Sequence, residues 1–253
     1  MSEHLRLDVD GPVAVITIDR PAKRNAMSLS MWSAVPGLIG KVEAEESVRV
    51  LVIRGTDHFS AGADIGEFAT QRAGADGALR YGAVVLAAER AIAELAKPTI
   101  AAITGSCVGG GCELALACDL RVAAADARFG ITPAKLGIVY NLTSTKQLVD
   151  AVGPAWAKQI LCTGDIVDAA TALRIGLVNE LHPAPVARAF ELARMIASRA
   201  RLSVRGAKSI VNRIMDGQVD EDDTVRALYT ESAGSGDYAE GVAAFLEKRP
   251  PRF

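Results

Sequence analysis

Residues 105–115 read GSCVGGGCELA, with four glycines and two cysteines in the first eight positions. A β-rich run, PTIAAITG at residues 98–105, leads into this stretch, and an apolar run typical of a helix follows it. A glycine cluster between a strand and a helix can carry a nucleophile, hold a phosphate or present bare backbone amides to a ligand. The chemistry and the fold of the chain depend on which of these applies.

The phosphate-binding patterns are absent from this stretch. A P-loop requires a lysine followed by serine or threonine after its glycines, and the dinucleotide fingerprint requires the spacing G-x-G-x-x-G. Neither occurs in residues 105–115. The glycine cluster therefore does not indicate a nucleotide phosphate site.

A nucleophile elbow is the second possibility, because residues 105–109 fit G-x-nucleophile-x-G with Cys107 at the centre. A thiol hydrolase of this kind would need His182 as its base and Asp165 or Asp168 as the orienting acid. Two further glycines separate Cys107 from the predicted helix, whereas the elbow places the helix directly after the nucleophile. A small buried side chain is the alternative interpretation of Cys107.

Exposed backbone amides fit the cluster best. Glycines that enter a helix leave unpaired N–H groups at the positive end of the helix dipole, without side chains that would block a ligand. A second run of small residues, Ala61-Gly62-Ala63 in HFSAGAD, follows another predicted strand. Two such amides could polarise one carbonyl oxygen as an oxyanion hole.

Composition favours a small-molecule ligand. The 253 residues are 50% hydrophobic, and 28 basic against 30 acidic residues give a net charge of −2, so no single-signed field points to nucleic acid or to an anionic membrane. We find no secretion signal and no membrane-length apolar run, which predicts a cytoplasmic protein. The cysteines, at positions 107, 112, 118 and 162, have neither zinc-site nor disulfide-scaffold spacing, so no metal is expected.

The element pattern predicts an α/β fold. A hairpin is expected around Asp10-Gly11-Pro12, followed by a helix within residues 29–47, a buried strand in VRVLVIRG and a long helix over about residues 77–95. Strand, helix and strand in this order imply a parallel crossover. From about Leu142 onward the pattern is almost wholly helical, with a stop at Gly176 and a short strand after it.

The chain contains the motifs FSAGADI, GGGCELALACDLRVA and FGITPAKLGI, in that order. Together they resemble the crotonase (enoyl-CoA hydratase/isomerase) superfamily. The similarity runs from DRPAKRNAMS to EGVAAFLEKRPPRF. It implies a spiral of ββα units over residues 1–195 and a C-terminal helical trimerisation region over residues 196–253. It also implies an acyl-CoA thioester as substrate with no separate cofactor, assembly as a homotrimer or a dimer of trimers, and a place in fatty acid metabolism.

The resemblance further implies the site residues. The amides of Ala63 and Gly110 would form the oxyanion hole, and Glu113 would be the first catalytic glutamate. The segments 24–26 and 61–65 would line the CoA site. The implied substrate-binding set is Arg24, Ala26, Ala61, Ala63, Asp64, Ile65, Gly110, Tyr140 and Asn141.

The second carboxylate of the hydratase pattern is missing. Ala134 follows Pro133 where the family pattern has a glutamate, and Asn141 stands where a related isomerase pattern has an acid. Hydratase (lyase) chemistry through a thioester enolate remains the leading prediction. Isomerisation, decarboxylation, thioester hydrolysis and acyl-CoA binding without turnover are the alternatives.

Several of these residues also have a purely structural interpretation. Glu113 could complement the helix dipole, and Asn141 could cap the next helix. Asp64 could be a loop acid, and Tyr140 could pack in the core. Near the C-terminus, Lys248 and Arg249 could bind a CoA phosphate or belong to a solvated tail.

Overall fold

Two β-sheets form the centre of the molecule in the computed structural model, which describes residues 3–253. The larger sheet has six strands in the order β1-β2-β3-β4-β6-β9. Its strands are β1 Leu5–Asp10, β2 Val13–Ile18, β3 Val50–Gly55, β4 Thr99–Ile103, β6 Leu120–Ala123 and β9 Glu180–Leu181. Strands β1 and β2 form the predicted antiparallel hairpin, and all other pairs in this sheet are parallel.

The smaller sheet has the order β5-β7-β8, with β5 Ser106–Val108, β7 Arg128–Gly130 and β8 Val167–Asp168. Strands β4 and β6 belong to the large sheet, whereas the strands that follow them, β5 and β7, belong to the small one. The chain changes sheets at Gly105, whose φ is +54° and whose added Cβ would lie 2.2 Å from His58 Nδ1. The sequence predicts one strand through this region, and β5 as a separate strand is not anticipated.

Ten α-helices surround the sheets in the described part of the chain. They are α1 Leu29–Ala44, α2 Phe68–Gln71, α3 Gly74–Glu94, α4 Gly110–Ala117, α5 Leu142–Thr163, α6 Ala169–Arg174, α7 Pro185–Ala197, α8 Arg201–Met215, α9 Asp223–Ala233 and α10 Gly236–Leu246. Helix α3 begins three residues before its predicted start. Gly176 ends the α6 segment with a φ of +82°, and β9 follows as predicted. The mixed α/β class is confirmed.

The large sheet is covered on both faces. One face, with Val15, Val52 and Ile100, packs against Ala189 and Ala193 of α7. The opposite face packs against α1, α3 and α4 in the main core. The residues of β2, β3 and β4 are therefore mostly apolar on both faces, because parallel strands buried on both faces have no solvent side.

Helix α7 packs on the large sheet, and the predicted boundary between residues 195 and 196 falls within it. Helices α8–α10 follow and carry many exposed apolar side chains, including Ile214, Val242, Phe245 and Leu246. Within residues 3–253, no helix combines the length and the hydropathy that crossing a bilayer requires.

Candidate active site

A cavity of about 720 Å³ opens beside the glycine cluster. Its floor is formed by residues 61–63 and 108–110, one wall by α3, and the other wall by residues 132, 133, 136 and 138–141. Most of the residues that line the cavity are apolar. Among the described residues, Glu113 is the one carboxylate in this lining. The cavity therefore has the character of an acyl-binding pocket with one acid beside exposed backbone.

The Ala63 amide points into this cavity. Residues Met27 and Ala63 form an isolated parallel bridge, in which the Met27 amide donates to Gly62 O (2.7 Å) and the Asp64 amide donates to Met27 O (2.9 Å). Because successive amides of an extended chain point in opposite directions, the N–H of Ala63 faces away from Met27. It donates to no acceptor within residues 3–253.

The Gly110 amide is the second free donor. Gly110 is the first residue of α4, and its N–H has no acceptor within the described chain, whereas the neighbouring Gly109 amide donates to Gly130 O (2.7 Å). A Cβ added at Gly62 would lie 3.1 Å from Gly110 N, so the two floor segments touch. The Ala63 and Gly110 amides thus line one cavity at the N-terminus of a helix, where a developing negative charge is stabilised.

The structure explains each glycine of the triplet. Gly109 has a φ of +53°, which favours glycine. A Cβ at Gly110 would lie 2.8 Å from Trp32 Cζ2, and one at Gly111 would lie 2.4 Å from Ser60 O. The triplet allows α4 to begin directly against the floor segment.

Replacing Gly111 by alanine is expected to destabilise the fold by about 1–3 kcal/mol, because the methyl group overlaps the buried backbone of Ser60. Gly37→Ala is the matched control, since Gly37 lies inside α1 with open space around its Cβ position. That change should stabilise the protein by up to about 1 kcal/mol. Urea unfolding measures both values, and equal effects of the two changes would contradict the close approach.

Glu113 lies in the first turn of α4 with 6% of its surface exposed. Its Oε2 lies 3.4 Å from the Cβ position of Gly110, beside the free amide. Burial raises the pKa of Glu113 well above its usual range, and the nearby Glu89 raises it further, while hydrogen bonds from Ser144 and Tyr140 oppose the rise. A carboxyl with a raised pKa can both accept and donate a proton near neutral pH.

Tyr140 and Asn141 both line the cavity. Burial raises the pKa of Tyr140, and the charge of Glu113 raises it further, so its phenol stays protonated. Asn141 also caps α5, since its Oδ1 accepts from the Ser144 amide (2.8 Å) and its Nδ2 donates to Ser144 Oγ (2.8 Å). The capping interpretation of Asn141 and its place in the cavity wall are therefore compatible.

Glu89 is a buried acid that the sequence interpretation missed. It lies on α3, fully buried, and accepts a hydrogen bond from Ser144 Oγ (2.7 Å) through Oε2. Its Oε1 is buried without a hydrogen-bond partner in the described chain. Burial raises the pKa of Glu89 to about 7. Its signal in the sequence is a glutamate on the apolar face of α3, which also carries Val85 and Ile92.

The other predicted substrate-binding residues divide into two groups. Ala61 and Ile65 line the cavity, but Arg24, Ala26 and Asp64 do not. Arg24 is exposed and contributes its carbonyl to the Ala61 amide (2.9 Å), and Ala26 is buried. Asp64 pairs with Arg20 (2.7 Å) and accepts from the Gly66 amide, and the Arg20 hydrogen bond holds the pKa of Asp64 below its usual range. This geometry supports the loop-acid interpretation of Asp64.

The thiol-hydrolase alternative is wrong. Cys107 is fully buried in β5, its thiol donates to Gly111 O, and burial raises its pKa well above the usual range. His182 accepts instead from the Ala184 amide (3.1 Å), and Asp168 caps α6. Asp165 lies beside Lys135 (3.9 Å). Among the described residues, no base hydrogen-bonds to the Cys107 thiol to form a thiolate.

Three positions discussed above lie outside the cavity wall. Ala134 is exposed within the short 3-10 helix Pro133–Lys135 and does not line the cavity, although Pro133 does. Arg249 is held by Glu240 through two hydrogen bonds (2.6 and 2.9 Å). Lys248 precedes it with a φ of +54°. The lining of the cavity includes neither of these basic residues.

Comparison with known proteins agrees with this geometry. Residues 8–253 match the family model described as enoyl-CoA hydratase/isomerase. The chain belongs to the enoyl-CoA hydratase/isomerase family. The resemblance inferred from the glycine motifs is therefore confirmed, and it covers nearly the whole chain.

Individual members of the family are similar along their full length. The crotonyl-CoA hydratase of Syntrophomonas wolfei is 37% identical over 265 residues, covering 99% of this chain and 98% of its own. The short-chain-enoyl-CoA hydratase of Clostridium acetobutylicum is 36% identical, covering 96% and 94%. A crystal structure of a family protein from Hyphomonas neptunium superposes with a TM-score of 0.95 at 42% identity, covering 99% and 97%. The crotonase fold is thus confirmed.

Proposed function

We propose that this protein hydrates the double bond of an enoyl-CoA thioester. The observation that carries the proposal is the placement of two unpaired amides, Ala63 and Gly110, beside the buried acid Glu113 in one apolar cavity. The thioester oxygen would accept hydrogen bonds from both amides. The names of the two hydratases cited above support the same reaction.

The chemistry follows from this arrangement. Water attacks C3 while its proton passes to the Glu113 carboxylate, and the electrons of the double bond move onto the thioester oxygen. The two amides stabilise the resulting enolate. Glu113 then returns a proton to C2, and the thioester carbonyl re-forms. One carboxyl therefore serves as base and then as acid, which its raised pKa permits.

The substrate would extend from the amides in two directions. Leu86 and Leu79 on α3 face Ile138 and Val139 across the cavity, and this apolar part would hold the acyl chain. The CoA portion belongs to the substrate, so the reaction needs no separate cofactor. We also propose assembly as a trimer or a dimer of trimers, supported by the exposed apolar side chains of α8–α10.

The direct test of function is loss of the enoyl-thioester absorbance of crotonyl-CoA, with the 3-hydroxyacyl product identified by mass spectrometry. Free crotonic acid is the control, because it lacks the CoA thioester that the site would recognise. We expect hydration of the thioester alone. Absence of hydration with a panel of enoyl-CoA chain lengths would refute the proposal.

Isomerisation that moves a double bond from C3–C4 to C2–C3 is the second candidate. A single carboxyl lining the cavity favours it, since a shift of one proton between carbons requires one group that accepts and then donates. A 3-enoyl-CoA substrate separates the two reactions. Faster conversion of 3-enoyl-CoA to 2-enoyl-CoA than hydration of 2-enoyl-CoA would favour the isomerase.

A further inference from the structure

Three elements bring two carboxyl groups and one hydroxyl together behind the cavity. Helix α4 carries Glu113, α3 carries Glu89 and α5 carries Ser144, and α4 packs against both other helices. Ser144 Oγ donates to Glu89 Oε2 (2.7 Å), and Ser144 and Glu89 are both among the groups that shift the pKa of Glu113. The hydroxyl is therefore bonded to one acid and lies near the other.

The hydroxyl is held in place from its other side. Asn141 Nδ2 donates to Ser144 Oγ (2.8 Å), so the single proton of the Ser144 hydroxyl remains available for one of the two carboxyls. Ser144 is 2% exposed and Glu89 is fully buried. Solvent therefore has little access to this part of the network.

Neither acid is paired with a cation of the described chain. Within residues 3–253, no lysine, arginine or histidine forms an ion pair or hydrogen bond with Glu89 or Glu113. The titratable groups that face Glu113 are Glu89 and Tyr81 from α3, Cys112 from α4 and Tyr140. Two carboxylates in one low-dielectric site repel each other, so loss of the first proton disfavours loss of the second, and the pair passes through a state that holds one proton.

We propose that Glu89 is a positioning residue that exchanges a proton with Glu113 through the Ser144 hydroxyl. When Glu89 is protonated, its O–H donates to Ser144 Oγ and the Ser144 O–H donates to Glu113. A concerted shift breaks the Glu89 O–H bond and forms one on Glu113. It leaves Glu89 as a carboxylate and Ser144 as a neutral hydroxyl that has turned toward Glu89.

This exchange bears on the position of Ala134. In the hydratase pattern a glutamate at that position supplies the second carboxyl, but the second buried carboxyl of this chain, Glu89, lies behind Glu113 instead. Glu89 does not line the cavity, so it acts on the substrate only through Glu113. The kinetic part of this inference rests on the proposed function, whereas the proton sharing itself does not.

The substrate-free protein tests the proton sharing. We would titrate the infrared carbonyl stretch of protonated carboxylic acids in wild type, Glu89→Gln and the control Glu94→Gln, an exposed glutamate of the same helix. Wild type and the control should lose the buried-acid band in two separated steps. Glu89→Gln should lose it in one. Two separated steps in Glu89→Gln, or a single step in wild type, would overturn the proposal.

Kinetics tests the exchange. Glu89→Gln and Ser144→Ala should each lower kcat by roughly tenfold to a hundredfold, with KM within about twofold, because a relay contributes part of an acid–base effect. Wild-type kcat should be bell-shaped in pH, and Glu89→Gln should lose the alkaline limb. Ser144→Ala should retain the two infrared steps.

The outcomes separate the two proposals. Wild-type kcat and an unchanged pH profile in folded Glu89→Gln would overturn the relay while leaving hydration intact. If wild type hydrates no substrate, the infrared titration still decides whether the pair shares a proton. Circular dichroism checks folding, which Glu89→Gln should preserve because the volume is nearly equal.

Discussion

Glu113→Gln should lower kcat for enoyl-CoA hydration by about 10²–10⁴, with little change in KM. The amide keeps the shape of the side chain but can neither take the proton of water nor return one to C2. Initial rates at saturating crotonyl-CoA measure the effect. Glu94→Gln, at an exposed position on α3, is the control and should leave the rate unchanged. A folded Glu113→Gln variant with wild-type rate would show that another group is the base.

The same change should alter stability in a pH-dependent manner. The pKa of Glu113 is raised in the folded protein above its ordinary value of 4.5. The folded state therefore binds this proton more tightly, and the stability it contributes is complete below pH 4.5 and is lost as pH rises through the folded pKa. Glutamine does not ionise. The stability of Glu113→Gln relative to wild type should rise between pH 5 and pH 8, as measured by urea unfolding.

Replacing the backbone amide of Ala63 or Gly110 by an ester should lower kcat by about 10²–10³ at each position. An ester removes the N–H without adding atoms, and neither amide donates to an acceptor in residues 3–253, so folding should be little affected. Nonsense suppression with lactic acid at position 63 or glycolic acid at position 110 introduces the change.

An ester at Ala127, which lies outside the cavity lining, is the matched control. The Ala127 amide donates to Ala124 O (3.1 Å), so its loss should cost about 1 kcal/mol of stability and leave kcat nearly unchanged. An ester at Ala63 or Gly110 that lowers stability but retains full activity would contradict the oxyanion assignment.

Much of the fold could be predicted from the sequence. The hairpin, the parallel crossover and the helical C-terminal part follow from turn residues, apolar strands and helical spacing. Strand β5 could not be anticipated, because its three residues carry no periodicity and its separation depends on a bend at Gly105 against His58. The division of the strands into two sheets therefore depends on tertiary contacts.

Only part of the candidate site could be predicted from the sequence. The glycine cluster indicated backbone amides, and the family resemblance assigned Ala63, Gly110 and Glu113 to their roles. Asp64 remained ambiguous because its partner, Arg20, lies 44 residues away in sequence. Glu89 was missed because a single acid in an alanine-rich helix resembles a surface residue until the packing of α4 and α5 is known. Its place on the apolar face of α3 was the available signal.

The carbon-13 shift of the thioester carbonyl tests the central claim most directly. An enoyl-CoA labelled at C1 would be bound to Glu113→Gln, which is expected to bind it but turn it over slowly. Two amide donors at the carbonyl oxygen should move its resonance downfield from that of the free thioester in water, and an ester at Ala63 should reverse part of this shift. A bound resonance at the position of the free thioester, unchanged by the ester, would contradict an oxyanion hole at Ala63 and Gly110.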